Sequence, residues 1–408
     1  MERIYERCCG IDVHKKMIVA CFRCGQKQEI REYGTTTHDL KALTSWLLEG
    51  NCQMIAMEST ASYWKPLYNI FELSGLEVMV VNAHHIKAVP GRKTDVNDAQ
   101  WIADLLQHGL LKASYIPDRE QRELREVSRY RKSLIDERAR EINRLQKMLE
   151  GANVKLSSFA SDINGKSSRR VIDALLAGKS LEEEDLKELL HSSMHKKIPD
   201  ILLAVEGIMT DIQKQLLKCV IDHIDDMTKR IEDIDKLMKD YLDKYEESIK
   251  KLDAIPGIAR QSAETILAEI GLDMERFPSG AHISRWAGVA PGNNESAGKR
   301  KSGKTTKGNK TLKTTLIQCA SAATKKQGTY FYAQYQRLVV HRGKKRAKMA
   351  VAHSMLIAIY HMLKENQPYK ELGSDYYNQF NKEKKINSYL KKLVSLGYTF
   401  PLVSANPA

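Results

Sequence analysis

The chain has 408 residues, enough for two or three domains that each bury a core. Hydrophobic residues make up 42% and charged residues 28%, which excludes a mainly disordered chain. Lys and Arg total 65 against 51 Asp and Glu, a formal net charge of +14, and the excess is local: Ser296 to Lys364 holds sixteen Lys or Arg and no Asp or Glu. Such a block repels itself unless something anionic lies against it, and nucleic-acid backbone is the commonest such partner. A solvated basic face is the bland alternative, whereas an acidic small molecule does not need so wide a patch. No apolar run approaches the roughly 18 residues that span a bilayer, and MERIYERCCG lacks the layout of a signal peptide, so the expectation is a cytoplasmic protein without a membrane partner. Seven cysteines, an odd number, argue against a disulfide framework and read as buried or idle thiols.

Along the chain, residues 1–117 alternate strand and helix patterns. CCGIDVHKKMIVACFR reads as two β stretches, CQMIAMEST and LEVMVVNA as short strands, and THDLKALTSWLLEG and WKPLYNIFELSG as amphipathic helices, the alternation of an α/β layered domain. Residues 118–251 are rich in Glu, Lys, Arg, Leu and Ile and read as helical. Leu217, Val220, Ile224, Met227, Ile231, Ile234, Met238, Tyr241, Tyr245 and Leu252 follow steps of three and four with a seat skipped at Ser248. That spacing predicts a coiled-coil seam which needs a partner helix, either the run at 119–150 folded back or another subunit. Turn and cap signals at 151–200 interrupt the rod. Residues 252–366 open with LDAIPGIARQSAETILAEIG, two helices about a tight turn, similar to a helix-hairpin-helix unit whose turn amides can hold a phosphate; a plain helical corner fits nearly as well. A Gly- and Lys-rich loop and further helices follow, and residues 367–408 read as a polar tail.

Four carboxylates stand out. Asp12 interrupts the apolar stretch Cys9–Val13, Glu58 ends the run Met54–Met57, and Asp95 and Asp98 lie three apart at the start of an amphipathic helix. Hard divalent cations take oxygen ligands, and Mg²⁺ or Mn²⁺ bridges carboxylates to substrate phosphates. Singly, each acid has a bland reading as a cap or a strand-edge residue. Together, at successive strand ends and one helix start, they point to a metal centre. His14 beside Asp12 is better read as a polar strand-end residue.

GIDVHK, the AMEST segment ending in Tyr63, and KTDVNDAQWIADLL resemble the N-terminal RuvC-like (RNase H-like) four-acid domain of the transposases of the insertion sequence 110 family. IPGI to AEIG and RWAGVAPGNNESAGKRKSGKTTKGNKTLK resemble that family's second domain. The resemblance covers most of residues 8–365. It implies an α/β RuvC-like N-terminal domain, a long helical coiled-coil middle and a mainly α C-terminal domain. It further implies divalent-metal binding by Asp12, Glu58, Asp95 and Asp98, and Ser296, just after Glu295, as the nucleophile toward DNA, with Ser302 in reserve. Members of the family are thought to use a bridge RNA that pairs with donor and target DNA, and to act as tetramers.

By itself a serine in a polar loop is ordinarily a turn residue. Position raises Ser296: the cationic run begins here, and Lys299, Arg300 and Lys301 are placed to hold a phosphate, with Lys304, Lys307 and Lys310 beyond. Arg92 and Lys93, before the aspartates, are candidate contacts to phosphate or RNA. Tyr330, Tyr332 and Tyr335 recur in an apolar run and read as core or base-stacking residues rather than nucleophiles. The expected activity is a DNA transposase or recombinase with a serine–DNA intermediate, acting as a dimer or tetramer in the nucleoid. The alternatives are a RuvC-like nuclease or junction resolvase using metal-activated water, and a non-enzymatic coiled-coil scaffold that binds nucleic acid.

Overall fold

The computed structural model describes residues 3–59, 61–82, 86, 98–292, 294–296, 298–305, 307–380 and 382–398; for 294–296, 299–302, 378 and 383–385 it describes the backbone alone. The candidates Arg92, Lys93 and Asp95 lie outside the described residues. The chain divides into two compact units, Met1–Asp118 and Arg119–Ala408.

The first unit is built on a five-stranded sheet of order β3-β2-β1-β4-β5. Strands β1 (Arg7–Val13), β2 (Ile18–Cys24) and β3 (Lys27–Tyr33) form an antiparallel meander; β4 (Met54–Glu58) and β5 (Val78–Val81) add parallel to β1. Side chains of a strand alternate between faces, and each face here has its own core. Cys9, Ile11, Val13, Ile55 and Met57 pack on α1 (Thr37–Glu49) and α2 (Trp64–Leu73) through Leu43, Leu47, Leu67 and Phe71. Cys8, Ala56 and Val81 pack instead on Trp101, Ile102, Leu105 and Leu106 of α3 (Asp98–Gln107). Helix α1 is started by a capping box in which Thr36 and Asp39 bond each other's backbone N–H.

All seven cysteines are free, and burial pushes the Cys8 and Cys52 thiols up to about 12. Cys21 and Cys24 have C-x-x-C spacing, but they lie three apart on β2, where alternation turns one inward and one outward; Cys21 is buried and Cys24 exposed.

In the second unit, α4 (Arg119–Gly151) and α8 (Asp211–Leu242) pack antiparallel. Arg131 pairs with Asp235, Arg138 Nη1 donates to Thr228 Oγ1 at 3.2 Å, and Leu145 and Leu149 share a core with Leu217, Val220 and Ile224. The apolar spacing is therefore met, over most of its length, by an earlier helix of the same chain. Helices α5 (Lys166–Leu176), α6 (Glu183–Leu189) and α7 (Ile198–Ala204) join that core through Val171, Leu186 and Ile201.

The expected seam to Leu252 is interrupted. Helix α8 ends at Leu242, a 3-10 turn spans Asp243–Tyr245, and α9 (Glu246–Asp253) restarts with Ile249 and Leu252 buried. The restart shifts the apolar phase, which is why Ser248 occupies a seat without filling it.

After the turn at 254–259 comes α10 (Arg260–Ile270), then α11 (Gly280–Ala287), α12 (Lys310–Ala323), α13 (Tyr330–Arg342) and α14 (Lys344–Lys364). The turn is helix-turn-helix in outline. Its Ile255 amide bonds the Leu252 carbonyl at the end of α9 and its Ile258 amide the Ile255 carbonyl, and a Cβ on Gly257 would meet the backbone of Cys319 and Ala323 on α12 at 2.5 Å. Among the described residues no helix is long and apolar enough to cross a membrane.

Candidate active site

Asp12, the last but one residue of β1, and Glu58, the last of β4, lie at the same end of neighbouring parallel strands. The register runs from Cys8 opposite Met54 to Ile11 opposite Met57, so the two acids are the next residues on each strand. Adjacent strands lie about 4.8 Å apart. Ile11 and Met57 both face α1 and α2, so by alternation Asp12 and Glu58 both turn to the face that carries α3.

Helix α3 is seated on that face by a glycine. Cys8 Sγ donates to the Ala103 carbonyl at 3.9 Å, and a Cβ on Gly10 would lie 2.2 Å from Ala103 N and 2.4 Å from Ala99 O. Stepping from Cys8 to Gly10 moves the contact from Ala103 back toward Ala99. The helix therefore runs opposite to β1, and its first residue, Asp98, lies toward the Asp12 end. An acid at a helix start is favoured by the exposed N–H groups there. Asp12 is largely enclosed, its side chain 13% exposed, with Oδ2 2.9 Å from Nε2 of the exposed His14.

Three of the four sequence-predicted acids thus belong to one edge of one sheet layer. Among the described residues no three His, Cys, Asp or Glu side chains already form a group that could hold a metal ion. Asp95 stands outside the described residues.

Ser296 lies on a hairpin rather than in an irregular loop. Strands β6 (Asn294–Ser296) and β7 (Lys299–Ser302) pair antiparallel, with Ser296 opposite Lys299 and Glu295 opposite Arg300. The connection is Ala297-Gly298, and Gly298 takes φ +73°, the left-handed conformation that two-residue hairpin turns require. Ser296 therefore sits at the tip, while Ser302, opposite Asn294, sits at the base.

The ends of the hairpin, and the start of α12 beyond it, are held by groups that sequence reasoning missed. A Cβ on Gly292 would lie 2.1 Å from Lys304 O, so the two ends of the hairpin touch. Asn309 caps α12 by accepting from Leu312 N through Oδ1 at 3.1 Å, and its Nδ2 donates to Glu269 Oε2 at 2.6 Å. Glu269 is fully buried on α10, and Arg129 grips it through both oxygens at 2.7 and 2.8 Å. That contact keeps the Arg129 guanidinium firmly protonated. Arg125 Nε lies 3.4 Å from the same carboxylate.

Residues 9–154 match the family model described as transposase, of the DEDD type of IS110, and residues 249–336 match the model described as transposase of the IS116/IS110/IS902 family. Together the matches cover more than half of the chain, in the family's order of domains. The chain belongs to the IS110 family of transposases. No curated protein matches it at a significant level.

As an IS110-family transposase it is an enzyme that acts on DNA. The DEDD domain implies a RuvC-like fold, and such domains use divalent metal ions. The donor set fits: Asp12, Glu58 and Asp98 offer oxygen atoms alone, as a hard cation prefers. In the second unit Lys304, Lys307 and Lys310 are exposed. Tyr330 stacks on Tyr377 with centroids 5.3 Å apart and accepts its hydroxyl hydrogen at 2.8 Å, and Phe331 stacks on Tyr369. The stretch read as an inert tail thus begins with aromatic residues packed on α13.

Proposed function

We infer that this transposase cuts and rejoins DNA through a covalent serine–DNA intermediate, with Ser296 as the nucleophile and Asp12, Glu58, Asp95 and Asp98 as ligands of Mg²⁺. The carrying observation is that Asp12 and Glu58 lie at the same end of adjacent parallel strands, on the face where α3 begins. When bound, the divalent ion supplies charge stabilisation to the phosphate and to the attacking and leaving oxygens. Ser296 Oγ attacks phosphorus and loses its proton, one P–O bond to deoxyribose breaks, and the departing sugar oxygen takes up a proton. Attack by a sugar hydroxyl of another strand reverses these steps and restores a phosphodiester, so no bond energy is lost to water. Lys299, Arg300 and Lys301 balance the phosphate charge, and Lys304, Lys307 and Lys310 hold the flanking backbone. Arg92 and Lys93 contact phosphate or RNA.

The functional division that goes with this reading is residues 1–117 for metal, 118–251 for the helical linker and self-association, 252–366 for the serine and its basic surface, and 367–408 as a tail. By resemblance, a bridge RNA selects donor and target, and a dimer or tetramer acts at the nucleoid.

Ser296→Ala decides between this and hydrolysis by metal-activated water. With DNA oligonucleotides and Mg²⁺, the variant is expected to lose both cleavage and the protein–DNA adduct seen on a denaturing gel. A variant that keeps cutting would establish the hydrolytic reading instead.

A further inference from the structure

The four helices α11, α12, α13 and α14 carry no carboxylate at all. Between α13 and α14 the chain reverses at Gly343, φ +75°, and residues 341–346 are all exposed. The corner presents Arg342, Lys344, Lys345 and Arg346, with Lys348 one turn on. Among the described residues none of these five takes part in a salt bridge; the acid contacts of α14 lie at its far end, Lys364 with Glu275 and His361 with Glu365.

The side-chain cluster is more than an ordinary solvated face, because its position works against the helix. Lys344, Lys345 and Arg346 fill the first turn of α14, where the helix dipole is positive and cations destabilise. Lys344 and Lys348 add a like-charge pair four apart. Five other helices do the opposite, with Asp39, Asp98, Glu120, Asp211 or Glu246 in the first turn, and where α5, α10 and α12 open on Lys166, Arg260 and Lys310 no run of three cations follows. The fold does not require these cations, since α14 is held by Ala347, Val351, Ala352, Met355 and Leu356 on its buried face. Only an external polyanion turns the arrangement from a cost into a gain, and the substrate of a transposase is DNA.

We propose that the α13–α14 corner is a second DNA-binding element, separate in sequence from the serine hairpin, in which Arg342, Lys344, Lys345, Arg346 and Lys348 hold the phosphate backbone of duplex DNA without reading its sequence. This rests on DNA being the substrate and not on the serine chemistry, and its test reads binding alone.

The test is fluorescence anisotropy of a random-sequence duplex with the full-length protein, from 50 to 200 mM KCl, comparing wild type with the variant in which all five are changed to Gln. The slope of log K against log[salt] is expected to shrink by about 4.5, since each of five phosphate contacts contributes about 0.9, and affinity at 100 mM to fall about tenfold or more. Neutralising Lys218, Lys229, Lys236 and Lys239 on α8 should leave the slope within about one of wild type. The five-residue variant should melt at or above the wild-type temperature, because repulsion in the first turn is relieved. An unchanged slope, an equal loss in the α8 control, a lower melting temperature, or loss of RNA binding with duplex binding intact would each overturn the proposal.

Discussion

Replacing Gly10 by alanine adds one carbon where helix α3 already sits. The new Cβ would lie 2.2 Å from Ala103 N and 2.4 Å from Ala99 O, both backbone atoms that no rotamer change can move aside. Restoring ordinary contact requires α3 to retreat from β1 by about 1 Å, and overpacking of this kind costs about 1–3 kcal/mol. At roughly 4 °C per kcal/mol for a domain of this size, the first unit should melt about 4–12 °C lower. With the proposed metal ligands, the larger effect falls on chemistry. Asp98 rides on α3 while Asp12 and Glu58 stay on the sheet, and a displacement of about 1 Å between catalytic groups can cost about 10²-fold in rate. Calorimetry together with Mg²⁺-dependent cleavage of a labelled oligonucleotide, below the melting transition, measures both. Gly151→Ala is the control, since its Cβ meets nothing within 4 Å. Wild-type melting and cleavage in Gly10→Ala would refute the seating of α3 on β1.

Two further outcomes test the second unit. Glu269→Ala strands Arg125 and Arg129 around a missing charge and frees Asn309, and should cost about 3–5 kcal/mol in urea unfolding; a change below about 1 kcal/mol would mean that the buried carboxylate does not hold the start of α12. Ile231→Ala removes a buried contact in the α4–α8 pair and should cost about 2–5 kcal/mol, read by circular dichroism at 222 nm. If that variant instead keeps its stability and loses only self-association, Ile231 faces another subunit rather than α4.

Much of the first unit was legible because apolar periodicity is a direct readout of burial. The stretches around Ile11, Val19, Ile55 and Val80 read as strands, and those around Leu43 and Phe71 as helices. Strand β3 was not legible: KQEIREY is an edge strand, exposed along nearly its whole length, so no alternation marks it. The apolar spacing in α8 was visible, but its partner and its end at Leu242 were not, since a seam does not say which helix fills it. Asp12 and Glu58 stood out as acids among apolar neighbours and Asp98 by its spacing from Asp95 at a helix start, but their place at one end of one sheet layer comes from the strand register. The role of Glu269 was not legible, because its arginine partners lie about 140 residues away and Asn309 lies 40 away in sequence, and only packing brings them together. The hairpin bearing Ser296 read as a loop, since its strands are polar throughout and only the Gly298 turn betrays them.

Metal binding by the intact protein tests the central claim most directly. Mn²⁺ titration with duplex DNA present, followed by electron paramagnetic resonance, compares wild type with Asp12→Asn/Glu58→Gln. Hard cations depend on anionic oxygen ligands, so affinity should fall about tenfold or more while the melting temperature stays near wild type. Unchanged Mn²⁺ affinity in the double variant would show that the two strand-end carboxylates do not hold the ion.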